Sequence, residues 1–322
     1  MEIFINPGKS GNILATIAIG GNYYQTWKKY AFHTWERYCI RHDLGLVVFK
    51  EDLISKKDPM WKKPTWQKTL IGRELKKLDF DVNNVCYLDS DILINYTAPN
   101  VFDFHKENSI SLVSQKFNLP YPIDLLLRKI AFYRHYLYDK DYPLDSALFM
   151  TLKQIYEYHD LPVQKDYACA GFFIFNLEEH SGIMETWFKK YDRNIQTITG
   201  GGDEVHFNFE CQNLGKVSWL DYKFQAMWIY EMAWKFPFLY DHGRYDNELI
   251  NQCVESSLFT NYFLHFAGSW YESDMWKVGK TLESIETQKK LEQFHAYMQI
   301  PVTGEPKGQI KPKSISEKIE KK

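Results

Sequence analysis

Asn84-Val85-Cys86-Tyr87-Leu88-Asp89-Ser90-Asp91-Ile92-Leu93-Ile94 is the stretch on which the reading of this chain turns. It is an apolar run that ends on two carboxylates one residue apart and then becomes apolar again. A run of this length suits a strand buried on both faces. Asp89 and Asp91 cost too much to bury without a partner, so they face water, a cation or a ligand. Carboxylates at i and i+2 of a strand end can share one divalent ion, and hard oxygen donors suit magnesium or manganese. The competing reading is a solvated turn, where aspartate is common.

Upstream, Ile13 to Ile19 reads as a short buried strand broken by Gly20-Gly21-Asn22. Tyr24 to His42 reads as a helix, with Trp27, Tyr30, Ala31, Thr34 and Tyr38 near one stripe, and Leu46 to Phe49 as a second strand. Strand, helix and strand make a right-handed parallel unit. Its Gly20-Gly21 turn lies where such a unit accepts a nucleotide, at the carboxyl end of a strand. The turn is not G-x-G-x-x-G, so no dinucleotide fingerprint is present. Pro64 opens a further helix near its first position. Trp66, Leu70, Ile71, Leu75 and Leu78 lie at helical spacing, and Lys68 falls on a flank, where a lysine is usually solvated.

Downstream, Ser109 to Val113 is a fourth strand. Residues from about 115 to 166 form a helical insertion, Ile123 to Tyr138 and Asp145 to Tyr158, of the kind that shapes a binding site. Cys169 to Asn176 returns to a buried strand, and Glu178 to Tyr191 is a helix. The turn Thr199 to Gly202 delivers Asp203 and Glu204 to a helix over Val205 to Leu214. Asp203 is a natural N-cap there, and Glu204 a first-turn acid that the helix dipole favours. Val217 to Leu220 and Tyr262 to His265 are the last strands. Asp166 and Asp221 are lesser acidic candidates without a spacing argument. Gly171 permits close approach of a ligand or another strand.

The 322 residues are 45% hydrophobic and 25% charged, which marks a globular chain with ample core. A formal net charge of −2 steers it to neither nucleic acid nor an acidic membrane. Five scattered cysteines with no C-x-x-C pair argue against a disulfide framework or a zinc cluster and suit a reducing compartment. No run reaches transmembrane length, and the first residues do not read as a signal peptide. The chain is therefore expected in the cytoplasm. The lysine-rich tail, 304–322, is expected to be disordered, with 1–303 as a single domain. Aromatic residues make up 17%, mostly core, although such rings also stack on sugars.

The ordered set of motifs resembles the GT-A-fold glycosyltransferases, within them the retaining families 34 and 8. The set runs from the Gly20-Gly21 strand end through Trp66-Gln67-Lys68-Thr69-Leu70-Ile71 to Tyr87-Leu88-Asp89-Ser90-Asp91. It continues with Cys169-Ala170-Gly171 and its strand, Asp203-Glu204, and His265-Phe266-Ala267-Gly268-Ser269. The resemblance implies an α/β domain of the nucleotide-diphospho-sugar transferase type, mostly parallel, with helices on both faces. It implies a hexosyl- or pentosyltransferase moving sugar from a UDP-sugar donor to a carbohydrate acceptor with retention. Asp89, Asp91 and His265 would hold manganese, or magnesium. Ala18, Ile19, Gly20 and Tyr23 would line the base and ribose, and Lys68 would sit near phosphate or sugar. Ser90, Ala170, Gly171 and Gly268 would complete the donor site. Asp203 and Glu204 would lie beside the reacting sugar face. Family members often carry Asp-Gln at 203–204 and Asn-Ser-Gly or Asn-Thr-Gly at 169–171, and family 8 often has Lys-Pro after the His-x-x-Gly turn, where Trp270-Tyr271-Glu272 stands here.

Two rivals keep the same residues. A haloacid-dehalogenase-type phosphatase would use Asp89 as nucleophile, but that motif closes the first strand of its fold and two strands precede Asp89 here. A non-catalytic sugar-nucleotide-binding protein would need no acid pair at 203–204.

Overall fold

The computed structural model describes residues 1–78, 81–95, 97–137, 146–268, 275 and 277. The tail at 304–322, and Ser269 to Glu272 after the histidine turn, lie outside them. Ten strands are described: β1 (Glu2–Ile5), β2 (Ile13–Ile17), β3 (Gly45–Phe49), β4 (Asn84–Leu88), β5 (Ile92–Ile94), β6 (Ile110–Val113), β7 (Phe172–Asn176), β8 (Val217–Leu220), β9 (Ala226–Met227) and β10 (Phe263–His265). Seven form the main sheet in the order β1-β3-β2-β4-β7-β6-β8. β3, β2, β4, β6 and β8 run one way, and β1 and β7 run against them. The sheet is α/β and mostly parallel.

Alternation along the strands sorts side chains between two layers. On one face Ile13, Ala15, Ile17, Val85 and Phe175 meet Ile71, Leu75, Met184 and Trp187 from helices Ile71–Leu75 and Leu177–Lys190. On the other, Leu14, Leu46, Val48, Cys86 and Leu88 meet Trp27, Trp35 and Tyr38. Strands so covered on both sides must be apolar throughout, as the sequence showed. The helix Leu177–Lys190 begins where Asn176 accepts the Glu179 N–H. It carries Glu178 and Glu179 in its first turn and Lys189 and Lys190 in its last, matching its dipole.

The single helix read over Tyr24 to His42 is two, Gly21–Tyr30 and Phe32–His42, broken at Ala31 with φ −109°. The segment after Pro64 is also divided: Pro64–Gln67, a 3-10 turn at Lys68–Leu70, then Ile71–Leu75. Between β6 and β7 lie helices Ile123–Leu137, Ser146–Phe149 and Leu152–Tyr158. No described helix is long and apolar enough to cross a membrane.

A second, three-stranded sheet has the order β5-β10-β9. β5 starts one residue after Asp91, and β10 pairs with it antiparallel, placing His265 opposite Ile92. β9 lies parallel on the other side, with Met227 opposite His265. Trp35 Nε1 donates to the Ile92 carbonyl at 2.7 Å, tying the first helices to this corner.

Candidate active site

β2 and β4 are parallel neighbours, so their carboxyl ends reach the same sheet edge. Ala18, Ile19, Gly20 and Tyr23 follow β2 at that edge, and Asp89 and Asp91 follow β4. Ala18 is buried and its N–H donates to the Phe49 carbonyl at 2.8 Å, while Gly20, at φ 102°, and Tyr23 are exposed. Open α/β sheets bind ligands outside such strand ends.

Ligand atoms of Asp89, Asp91 and His265 lie within 4.8 Å of one another. His265 Nε2 is 3.2 Å from Asp91 Oδ1 and 3.8 Å from Asp89 Oδ2. His265 and Asp91 are buried, whereas Asp89 keeps about a third of its side chain in water. Asp91 Oδ1 and His265 Nε2 are both buried without a well-formed hydrogen bond. They face each other at 3.2 Å as an ion pair of imperfect hydrogen-bond geometry, so a cation held between them would add to their pairing. Two carboxylates and an imidazole suit manganese better than calcium, so the residues present fit such a cation. Burial raises the Asp91 carboxyl pKa against the pull of His265. Burial disfavours the charged imidazole, yet Asp91, Asp89 and Glu204 hold the His265 pKa above its ordinary value.

Both acids of this group are held from behind. Tyr87 OH donates to Asp89 Oδ1 at 2.6 Å, and the Asp89 N–H donates to the Gly171 carbonyl at 2.8 Å. The Phe266 N–H donates to the Asp91 carbonyl at 3.2 Å. Gly171 is glycine because a Cβ there meets His265 Cε1 at 2.4 Å and Asp89 Oδ2 at 2.6 Å. Ser90 is buried between the two acids, and Gly268, at φ 70°, turns the chain after His265.

Behind this cluster lies a buried ion pair. Lys68 is not on a solvated flank. The 3-10 turn at Lys68–Leu70 carries it inward, where Nζ donates to the Ala170 carbonyl at 2.8 Å and lies 3.3 Å from Asp203 Oδ2. Asp203 occupies the N-cap position of helix Glu204–Asn213, but its side chain makes no capping bond and turns to Lys68 instead. Burial pushes the Asp203 carboxyl up to about 7 despite Lys68, with Asp89 and Glu204 adding to the rise. Burial opposes the Lys68 charge, but Asp203 and Asp89 more than offset it and keep the ammonium ionised. Glu204 Oε2 accepts the Ala170 N–H at 3.4 Å, next to Gly171. Asp203, Glu204, Lys68, Ala170 and Gly171 thus adjoin the Asp89–Asp91–His265 corner.

Asp166 and Asp221 serve locally. Asp166 accepts from Ser114 Oγ and the Tyr167 N–H, and Asp221 accepts the Lys223 N–H at a helical turn. Tyr87, which steadies Asp89, was quoted in the sequence as part of the motif but given no role, and Gln225, beside His265, belongs to no motif.

No protein-family model and no curated protein matches the sequence. Solved structures similar to it include a glycosyltransferase involved in glycosylation of the major capsid of PBCV-1, 9% identical over 87% of this chain and 99% of that one, with a TM-score of 0.42. Another is the galactosyltransferase LgtC in complex with donor and acceptor sugar analogues, 11% identical over 90% of this chain and 98% of that one, TM-score 0.39. A third is the glycosyltransferase GlyE of Streptococcus pneumoniae TIGR4, 12% identical over 91% of this chain and 66% of that one, TM-score 0.42.

Proposed function

We propose that this chain is a metal-dependent, retaining glycosyltransferase that moves a sugar from a UDP-sugar to a carbohydrate acceptor. One observation carries the reading: Asp89, Asp91 and His265 converge at the carboxyl edge of the parallel strands, their ligand atoms within 4.8 Å of one another. The three residues would hold a divalent cation, which supplies Lewis-acid charge to neutralise a departing diphosphate. The backbone at Ala18 to Gly20 and the Tyr23 ring would take the nucleoside. Uridine is implied by the family resemblance alone.

Lys68 adds fixed positive charge under the site without an exposed ammonium. Its bond to Ala170 and its pairing with Asp203 set the floor on which the sugar would rest. Asp203, paired with Lys68, and Glu204, which accepts the Ala170 N–H, would both lie beside the reacting sugar face. A carboxylate there stabilises developing oxocarbenium character, by the logic of paired carboxylates in glycosidases. The acceptor would approach over the helices between β6 and β7. The protein would work in the cytoplasm.

The test is donor hydrolysis and transfer with a panel of nucleotide sugars, with and without Mn²⁺. Turnover should need the cation and vanish in Asp91→Asn. The anomeric configuration of the product, read by NMR, should match that of the donor. Cation-independent turnover, or a phosphoryl group trapped on Asp89, sinks the proposal.

A further inference from the structure

A cavity opens further along the sheet edge that carries the acid pair. β6 and β8 run parallel to β4 beyond β7, so their carboxyl ends reach the same edge. Asn118 to Tyr121 follow β6, and Asp221 to Lys223 follow β8. With Lys235, Thr260 and Asn261 they line an open cavity of about 400 Å³. That volume falls in the ~300–1,000 Å³ range of small-molecule sites. Asn261 precedes β10 in extended conformation and His265 ends that strand, so about 13 Å separates the cavity from the histidine, at ~3.3 Å per residue. No lining residue belongs to the candidate active site.

One wall of the cavity is tied to a buried carboxylate. Glu231 is fully buried and accepts from Tyr121 OH, from Ser257 Oγ at 3.1 Å and from Asn261 Nδ2 at 3.1 Å. A buried network satisfied in this way holds its members in place. The Tyr121 ring also packs on Trp234, centroids 5.3 Å apart, and on Tyr222 at 6.0 Å. Lys235 pairs with Glu231 and donates to Thr260 Oγ1 at 3.0 Å, so its charge is already compensated. The remaining lining charges, Lys223 and Asp221, are opposite in sign. The cavity therefore has no surplus positive charge to hold a phosphate or a nucleotide. It offers an aromatic ring, two amides, a hydroxyl and one charge of each sign. Donors and acceptors spread around a wall beside a tyrosine ring suit a neutral polyhydroxylated ring, which hydrogen-bonds at its rim and stacks its apolar face.

We propose that this cavity binds a neutral sugar unit of the acceptor, distal to its reacting end, so that the acceptor is an oligosaccharide or longer glycan rather than a single sugar. The inference rests on the glycosyltransferase reading above and names the acceptor class for it. The distance from the cavity to His265 is one that a short oligosaccharide bridges along the sheet edge. Asn118 and Tyr121 open the segment between β6 and β7, so that insertion supplies part of the cavity wall.

The experiment uses the full chain with the donor found in the nucleotide-sugar panel, and mono- to pentasaccharides of glucose, galactose and mannose as acceptors. In the wild type, KM should fall by about tenfold or more from the best monosaccharide to its longer chains, with kcat little changed, because the distal contact is the same in ground and transition states. Asn118→Trp fills the cavity from an exposed loop position, and Lys223→Ala strips its other side. Each should remove most of the gain in KM for the longer chains. The length dependence of the wild type needs no variant, so the test stands if either variant does not fold. A KM independent of acceptor length, or a length dependence that both folded variants keep, overturns this inference and leaves the transferase reading intact. A gain confined to phosphorylated, sulfated or uronic-acid chains overturns the neutral-sugar assignment. No turnover of any nucleotide sugar overturns the transferase reading and this inference with it.

Discussion

Gly171→Ala tests the site with one added methyl group. Its Cβ arrives 2.4 Å from His265 Cε1, 2.6 Å from Asp89 Oδ2 and 3.1 Å from Asp89 Cγ. Ordinary carbon contacts lie near ~3.5–4.0 Å, so about 1 Å must open. His265 is pinned through its backbone, with Ile92 paired on one side and Met227 on the other. Asp89 is partly exposed, and its side chain is the one that yields. Overpacking of this kind costs about 1–3 kcal/mol. Gly171 is not among the glycines with positive φ, so alanine is not strained there and regains about 0.4–1 kcal/mol through the unfolded chain. The net loss should lie between about 0 and 2.6 kcal/mol in urea denaturation. Cation affinity should suffer more. Displacing Asp89 removes a direct ligand, so the loss in Mn²⁺ affinity should exceed the ~10–100-fold typical of losing an outer partner. Calorimetry with Mn²⁺ decides. An alanine variant with wild-type affinity and an unshifted urea midpoint refutes the close packing of Gly171 against both ligands.

Asp91→Asn takes away the carboxylate that His265 Nε2 faces at 3.2 Å, so its cation-free melting temperature should fall below that of the wild type. At Mn²⁺ a hundred times the dissociation constant, the wild type should gain about 2.7 kcal/mol and the variant nothing, as read by thermal denaturation. Lys68→Met strands Asp203 and should cost about 3–5 kcal/mol, while adding Asp203→Leu should recover much of it; urea melts of the double-mutant cycle measure the coupling. His206 is buried, and burial, with His159 and Lys190, lowers its pKa to about 4. Between its ordinary 6.5 and about 4 the unfolded chain binds the extra proton, so this stability is present above pH 6.5 and is lost as pH falls through that window. The slope is at most about 1.4 kcal/mol per pH unit, and His206→Phe should flatten it in melts across that range.

The fold was legible where burial dictates composition. β2, β3, β4 and β7 must be apolar because helices cover both faces, and they were read nearly to their ends. The break at Ala31 was not legible, since alanine is the best helix former and the apolar stripe runs through it. Packing of Trp27 and Trp35 against the sheet accompanies the bend. Helical spacing alone set Lys68 on a solvated flank, whereas the resemblance drew it toward the donor site. Continuous α spacing puts it on a flank, and a 3-10 turn shifts its phase. Asp203 looked like a cap because local sequence favours caps, but a buried ammonium from another segment claims its carboxylate. In the second sheet β10 was read as Tyr262 to His265 and β5 only as the apolar end of the opening stretch, while β9 was missed because two residues carry no periodicity. The acids and the histidine of the corner were found through the resemblance and their order. Gln225 was not found, because a single glutamine outside any motif carries no signal.

The pairing of β10 with β5 also sets when the corner can exist. The two acids leave the ribosome long before the imidazole does, and a slip of one residue in that pairing turns the imidazole to the opposite side. A growing or prematurely ended chain that stops before Phe263 owns the acids but cannot close around an ion with all three donors. On the proposed metal reading, capture of an ion would report that synthesis has passed β10 and that the small sheet has found its register.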